Sequence, residues 1–147
     1  MVKSVMFEYP RVGTALAICR HGEFLFHKRK SEHANGQWAF PGGHLEKWEG
    51  LEEAVIRELR EEAGNEIQIT PPEVYHVENA RYYDEDKHYV CVFMLSYWKS
   101  GEAIVMEPDK NEGWGWFGWH NLPEPLMKGC RAVVLKWSSG GKEILED

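Results

Sequence analysis

The thirteen residues from Leu51 to Ala63 constrain this chain most, because a helix cannot separate their apolar and acidic positions. Projected at about 100° per residue, Leu51, Val55, Leu59 and Ala63 form a stripe roughly 120° wide. Glu62 falls on that stripe, between Leu51 and Val55. Glu58 lies just beside it and Glu61 a little further round. An ordinary amphipathic helix places its charges opposite the apolar face. These acids also occupy the C-terminal half, where the helix dipole disfavours negative charge by a few tenths of a kcal/mol each. Burying one unpaired would cost several kcal/mol more. The helix must therefore pack where something compensates the charge.

Two compensators are available. A hard divalent cation is one, since Mg²⁺ and Mn²⁺ prefer carboxylate oxygen and water. Arg57 and Arg60 are the other, in which case the acids form surface ion pairs and the run is a solvated face. The preceding Pro41-Gly42-Gly43 permits a tight bend and close backbone approach, because glycine lacks the side chain that would block it. A main-chain carbonyl at Gly42 or Gly43 could then face the same cation; a plain turn is the alternative. Glu49 and Arg57 can pair if the loop folds back, and Arg57 would then help hold Glu58.

Helix signals frame the segment. Glu49, Glu52 and Glu53 lie near its start, where the dipole favours acids, and Gly64 fits a stop. Before it, Arg11 to Cys19 and Glu23 to Arg29 read as strands joined through His21-Gly22, a hairpin. Gln37 to Phe40 reads as a short strand halted by the glycines. After it, Glu73 to Tyr83 and Lys87 to Trp98 read as strands around the acidic turn Asp84-Glu85-Asp86. Ser100 to Gly113 reads as a polar loop, Trp114 to Trp119 as an aromatic strand, and Cys130 to Trp137 as a second helix. Strands dominate and the helices are few, so the class is α+β, a mixed α/β/α sandwich.

The chain has 147 residues, 43% of them apolar, which suits a single domain over 1–147 with a real core. Net charge is −7. An acidic chain gains nothing from the general phosphate attraction behind non-specific nucleic-acid binding, so no nucleic-acid polymer is expected as partner. A phosphate ligand would need a bridging cation. Three scattered cysteines, an N-terminal Met1-Val2-Lys3-Ser4 without a signal-peptide core, and no membrane-length apolar run make cytoplasm the default expectation. The basic run His27-Lys28-Arg29-Lys30 offers Arg29 as a phosphate contact, against a solvated strand end. Of seven histidines none is assigned to metal, and His44, beside the glycines, is the one considered for substrate. Trp38, Trp114, Trp116 and Trp119 could stack a base, although core packing is the commoner role.

Gly43, Glu49 and the run Arg57-Glu58-Leu59-Arg60-Glu61-Glu62-Ala63-Gly64, at this spacing, resemble the Nudix box of the Nudix hydrolases. The likeness extends to Phe40-Pro41-Gly42-Gly43-His44-Leu45-Glu46, to Lys87–Met94, and to Glu107–Glu112 followed by Trp114 and Trp116. These resemble a nucleoside triphosphate diphosphatase branch whose animal members hydrolyse modified purine nucleotides. The resemblance implies a mixed sheet between helices and Mg²⁺- or Mn²⁺-dependent cleavage of a phosphoanhydride bond, taking a nucleoside triphosphate to monophosphate and pyrophosphate. Nucleotide sugars and ADP-ribose are the alternative substrates, and a non-catalytic nucleotide sensor is a remoter one. Carried onto this chain, Glu58, Glu61 and Glu62 bind metal with a carbonyl at Gly42 or Gly43. Glu61 or Glu58 helps deprotonate the attacking water, and Arg57 orients the glutamates. A further acid outside the box is assigned to Glu112, with Glu107 as alternative. A homodimer is expected by the same likeness. The chain departs from the pattern at Asn65, where an aliphatic residue is usual and Ile67 is the substitute, and at Trp48-Glu49-Gly50, which loses a hydroxyl N-cap.

Overall fold

The computed structural model describes residues 9–140. The N-terminal Met1–Ser4 segment discussed above lies outside them. Eight strands and two helices follow in order: β1 (Arg11–Arg20), β2 (Glu23–Arg29), β3 (Trp38–Ala39), β4 (Gly42–His44), α1 (Leu51–Ala63), β5 (Gln68–Ile69), β6 (Glu73–Tyr82), β7 (Lys87–Ser100), β8 (Asn111–Gly118) and α2 (Cys130–Ser138), with a 3-10 turn at Tyr83–Glu85 between β6 and β7. The strands form one mixed sheet. β1 and β7 pair in parallel at its centre, from Arg11 opposite Tyr89 to Cys19 opposite Tyr97. β2 and β4 pair antiparallel with β1, β3 and β8 with β2, and β5 and β6 with β7.

Period-two alternation explains the layers. From β1, Ala15, Ala17 and Cys19 join Phe24, Phe26, Phe93 and the α2 residues Cys130, Val133 and Val134 in one core. Leu16 and Ile18 join Leu25, Met94 and the α1 residues Val55, Leu59 and Ala63 in the other. Each fully buried Leu, Ile or Phe contributes about 1.5–3 kcal/mol. The result is the expected α/β/α sandwich. The hairpin turn has positive φ at both His21 and Gly22 (50° and 82°), the geometry that matches strand twist.

Several boundaries differ from the sequence reading, four of them by more than a residue at one end or by a whole strand. The glycines do not form a plain turn: Gly42–His44 is a strand on β1. Glycine is needed at Gly42 because a Cβ there would sit 2.1 Å from the Thr14 carbonyl oxygen. Gln68–Ile69 makes a two-residue strand too short to show a period. β7 continues to Ser100. β8 begins at Asn111 and ends at Gly118, so Trp119 falls outside it. Ile67 is fully buried in the α1-side core while Asn65 is exposed, so the aliphatic position is filled from two residues further on. Cys19 and Cys130 are buried, Cys91 is half-buried, and all three are free thiols. Among the described residues, no helix is long and apolar enough to cross a membrane.

Candidate active site

α1 starts at Gly50 without a side-chain cap, although the Gly50 N–H donates to the Glu53 carboxylate at 3.4 Å. It stops at Gly64, whose φ of 85° is disfavoured for other residues and whose N–H closes on the Arg60 carbonyl at 3.1 Å. The last carbonyls are capped from afar: Ile104 N–H donates to Ala63 O (2.9 Å) and Met106 N–H to Glu62 O (3.4 Å). That capping carries the 100–110 segment over the acidic end of the helix and places Glu107 beside it.

The three box acids differ in environment. Glu58 and Glu62 are tucked against the sheet, with side chains 15% and 14% exposed, whereas Glu61 is 52% exposed. Glu62 Oε1 accepts from the Gly42 N–H at 2.9 Å, and its Oε2 lies 3.7 Å from His27 Nε2. Glu58 lies so close to β4 that a Cβ on Gly43 would fall 2.3 Å from its Oε1.

Arg57 organises the set. Its guanidinium grips Glu49 through Nε (2.6 Å) and Nη2 (3.0 Å), and donates through Nη1 to Glu58 (2.8 Å) and, at 3.4 Å, to Glu61. Nη2 also reaches the His44 carbonyl at 3.1 Å. Hydrogen bonds to Glu49, then Glu58, hold the Arg57 pKa above its ordinary value, and Arg57 in turn lowers that of Glu49. The loop thus folds back through the Glu49–Arg57 pair.

Burial pushes the Glu62 carboxyl up to about 8; the Gly42 N–H opposes this, and the charges of Glu58 and Glu107 add to it. Glu58 is raised by burial, against Arg57 and with Glu61 and Glu107. Burial, then the Arg29 charge, pushes His27 down to about 4, so this imidazole is neutral beside Glu62.

A cavity joins these groups. Glu58, Glu62 and Glu107 line it with Gly42, Gly43, His27, Arg29, Lys110 and Asn111, and Lys110 Nζ lies 3.6 Å from the Glu107 carboxylate. Within it the acids offer only oxygen, the donor set a hard divalent cation takes, and burial raises both the Glu58 and Glu62 carboxyl pKa values, which a bound cation would reverse. A hard divalent cation therefore fits. The acids do not already form a closed cage: among the described residues, no group of three converges tightly enough to hold an ion unaided. Substrate oxygens and water would complete the coordination.

A second, mostly apolar cavity adjoins the first across Arg29, His33, Gly42, Gly43, His44 and Tyr89, and runs on between Phe40, Phe93, Met127 and Cys130. His44, a residue of both cavities, stacks on Tyr89 with ring centroids 5.6 Å apart.

Glu112, the acid assigned outside the box, points elsewhere. It pairs with Lys28 at 3.6 Å and lines neither cavity. Alternation along β2 is the reason: His27 and Arg29 face the acids, while Lys28 turns to the other side. Glu107, the alternative, is the acid brought to Glu58 and Glu62. The four tryptophans line neither cavity: Trp38 packs edge-on against Phe117, Trp114 lies against His27, Trp116 lies under Arg20, and Trp119 sits beside His120. His27 reads in the sequence only as part of a basic run, which misses its place beside Glu62, although the β2 alternation that buries Leu25 toward α1 already puts it on that face.

Comparison with known proteins follows this geometry. The model of the Nudix domain matches residues 9–138. The crystal structure of a MutT Nudix hydrolase from Burkholderia pseudomallei is 38% identical and superposes with a TM-score of 0.81, covering 87% of this chain and 98% of that one. The nucleoside triphosphatase NudI of Enterobacter sp. strain 638 is 44% identical over 55 residues, 36% of this chain and 39% of that protein. The NAD-capped RNA hydrolase NudC of Pseudomonas putida strain GB-1 is 29% identical over 82% of this chain and 41% of its own length. The matched stretch therefore spans about two fifths of these curated relatives. Family model, sheet topology and the Glu49–Arg57 organised helix agree: the chain belongs to the Nudix hydrolase family.

Proposed function

We propose that this protein is a divalent-metal-dependent nucleotide pyrophosphohydrolase that converts a nucleoside triphosphate to the monophosphate and pyrophosphate. One observation carries the reading: a cavity of carboxylates and an apolar cavity open onto each other at Arg29, Gly42, Gly43 and His44. A nucleotide has the same two parts, a polyanion and a flat, largely apolar base.

In this reading Glu58, Glu62 and Glu107 hold Mg²⁺ or Mn²⁺ together with a glycine carbonyl of β4. When bound, the ion supplies charge neutralisation and lowers the pKa of water. The remaining work belongs to side chains. Arg57, fixed on Glu49, orients Glu58. Glu61, half-exposed and held only by 3.4 Å contacts to Arg57, lines neither cavity. It therefore leaves the metal set expected from the sequence and accepts the proton of the attacking water from the edge of the site. Arg29 lines the same cavity as the acids, and Lys110, paired with the Glu107 carboxylate at 3.6 Å, lines it too; both bind phosphate oxygens in this reading. His44, on Tyr89, borders the seat of the nucleoside. Much of the acceleration is positioning and charge compensation. A single domain and a homodimer belong to the same proposal, the latter tested by sedimentation velocity.

The deciding experiment is a release screen over nucleoside triphosphates, nucleotide sugars and ADP-ribose, with and without Mg²⁺, for the protein and for Glu61→Gln. The reading expects metal-dependent pyrophosphate from a triphosphate and its loss in the folded variant. Turnover of sugar conjugates alone would move the assignment to those substrates. Full activity in Glu61→Gln would remove Glu61 from the chemistry.

A further inference from the structure

Arg29 stands where the two cavities meet, and the segment that follows it in the chain dictates its orientation. Its Nε donates to the His33 carbonyl at 3.1 Å and its Nη2 to Ser31 Oγ at 2.8 Å; Ser31 Oγ itself donates to the His33 carbonyl at 3.0 Å. That leaves Nη1 as the edge of the guanidinium without a hydrogen bond among the described residues. The segment is in turn held from the turn between β6 and β7. Glu85 Oε2 lies 2.6 Å from His33 Nδ1, and its Oε1 accepts the Ala34 N–H at 3.3 Å. Both oxygens of one carboxylate therefore seize two consecutive residues, more than fifty positions away in the chain. The tyrosines of β6 and β7 pin the same imidazole: Tyr82 meets it edge-on at 4.6 Å and Tyr89 at 5.4 Å. Ala34 is held at a φ of 53° and is buried, so the segment has a single tight course.

We propose that Glu85 is a positioning residue for substrate phosphate: by clamping His33 and Ala34 it fixes the Ser31–His33 frame that aims Arg29 into the junction of the two cavities. The inference rests on the reading above, in which Arg29 binds phosphate. A guanidinium held in advance loses less freedom when it meets its anion, so binding tightens without any direct contact from Glu85. Glu85 touches no reacting atom, and its effect belongs in substrate binding rather than in the chemical step.

A double-mutant cycle tests this, using Arg29→Met, Glu85→Ala and their combination. The readouts are KM and kcat with Mg²⁺ and, independently of turnover, the calorimetric Kd for the α,β-methylene analogue of the preferred nucleoside triphosphate. Glu85→Ala should raise Kd and KM about tenfold, the scale of one charge-assisted contact, and leave kcat within about twofold. Glu85→Gln, which keeps one acceptor oxygen, should recover most of the loss. In the Arg29→Met background Glu85→Ala should add nothing, because its effect passes through the arginine. Equal penalties in both backgrounds, or a lower Tm with unchanged Kd, would overturn the proposal and leave Glu85 structural. Unchanged binding in Arg29→Met would instead overturn the phosphate reading beneath it. If Glu85→Ala does not fold, Glu85→Asp serves in the same cycle: a smaller rise that disappears with Arg29→Met supports the clamp, and one that persists contradicts it.

Discussion

The two faces of the sheet are built from the same strands and do different work. Toward α2, Phe24, Phe26, Phe40 and Phe93 meet Val133 and Val134 in a core without charge. Toward α1, the apolar contact of Leu25 with Val55 and Leu59 gives way, two residues along β2, to His27 against Glu62. One step in sequence, from Phe26 to His27, moves from packing to electrostatics. Stability and chemistry are thus separated by strand parity rather than by distance, and mutations on the two faces should fail differently.

The sharpest break of that comparison is a pair of variants. Glu58→Gln should lower kcat about 10²- to 10⁴-fold, the range for a lost catalytic group, while a thermal melt shows an intact fold. Phe24→Ala should cost about 3–5 kcal/mol of stability in denaturant unfolding, with kcat per folded molecule unchanged. If both variants lost activity only in proportion to unfolding, the two faces would be one.

A second pair sharpens the α1 face. Glu107→Gln should reduce kcat/KM about tenfold or more and weaken Mg²⁺ dependence, because its charge bears on Glu58 and Glu62. Glu112→Gln, which loses an exposed pair with Lys28, should change neither activity nor stability measurably. Reversal of these two effects in steady-state kinetics would return the outer acid to Glu112.

The smallest effect is a pH-dependent Tm. Glu62 is raised from an ordinary 4.5 to about 8 in the folded protein. Folding therefore favours its protonated form. That stabilisation is fully present below about pH 4.5 and is lost as pH rises through about 8. Without metal, Tm should fall across this window. In the proposed function Mg²⁺ takes the ionised form, so its stabilising shift should be larger at pH 8 than at pH 6. Glu62→Gln should flatten both trends in differential scanning fluorimetry.

Much of this was legible in the chain. The conflict of Glu62 with the apolar stripe follows from helix period alone, and the Glu49–Arg57 pair was open to a loop that folds back onto its own helix, as it does. Local chemistry also marked the hairpin and the Gly64 stop. Long-range placement was not legible. That Glu107 rather than Glu112 reaches the acids depends on Ile104 and Met106 capping the far end of α1, a bond between segments forty residues apart that leaves no period behind. β4 was hidden because two glycines read as a bend, whereas here they allow β4 to press against β1.

In the proposed function the Glu58, Glu62 and Glu107 carboxylates hold a divalent ion. Anomalous diffraction from a crystal soaked in Mn²⁺ and a non-hydrolysable nucleotide tests it directly. The account predicts a peak within about 2.0–2.3 Å of Glu58 and Glu62 oxygens. No peak at that position, with Glu58 and Glu61 still bonded to Arg57, would contradict it.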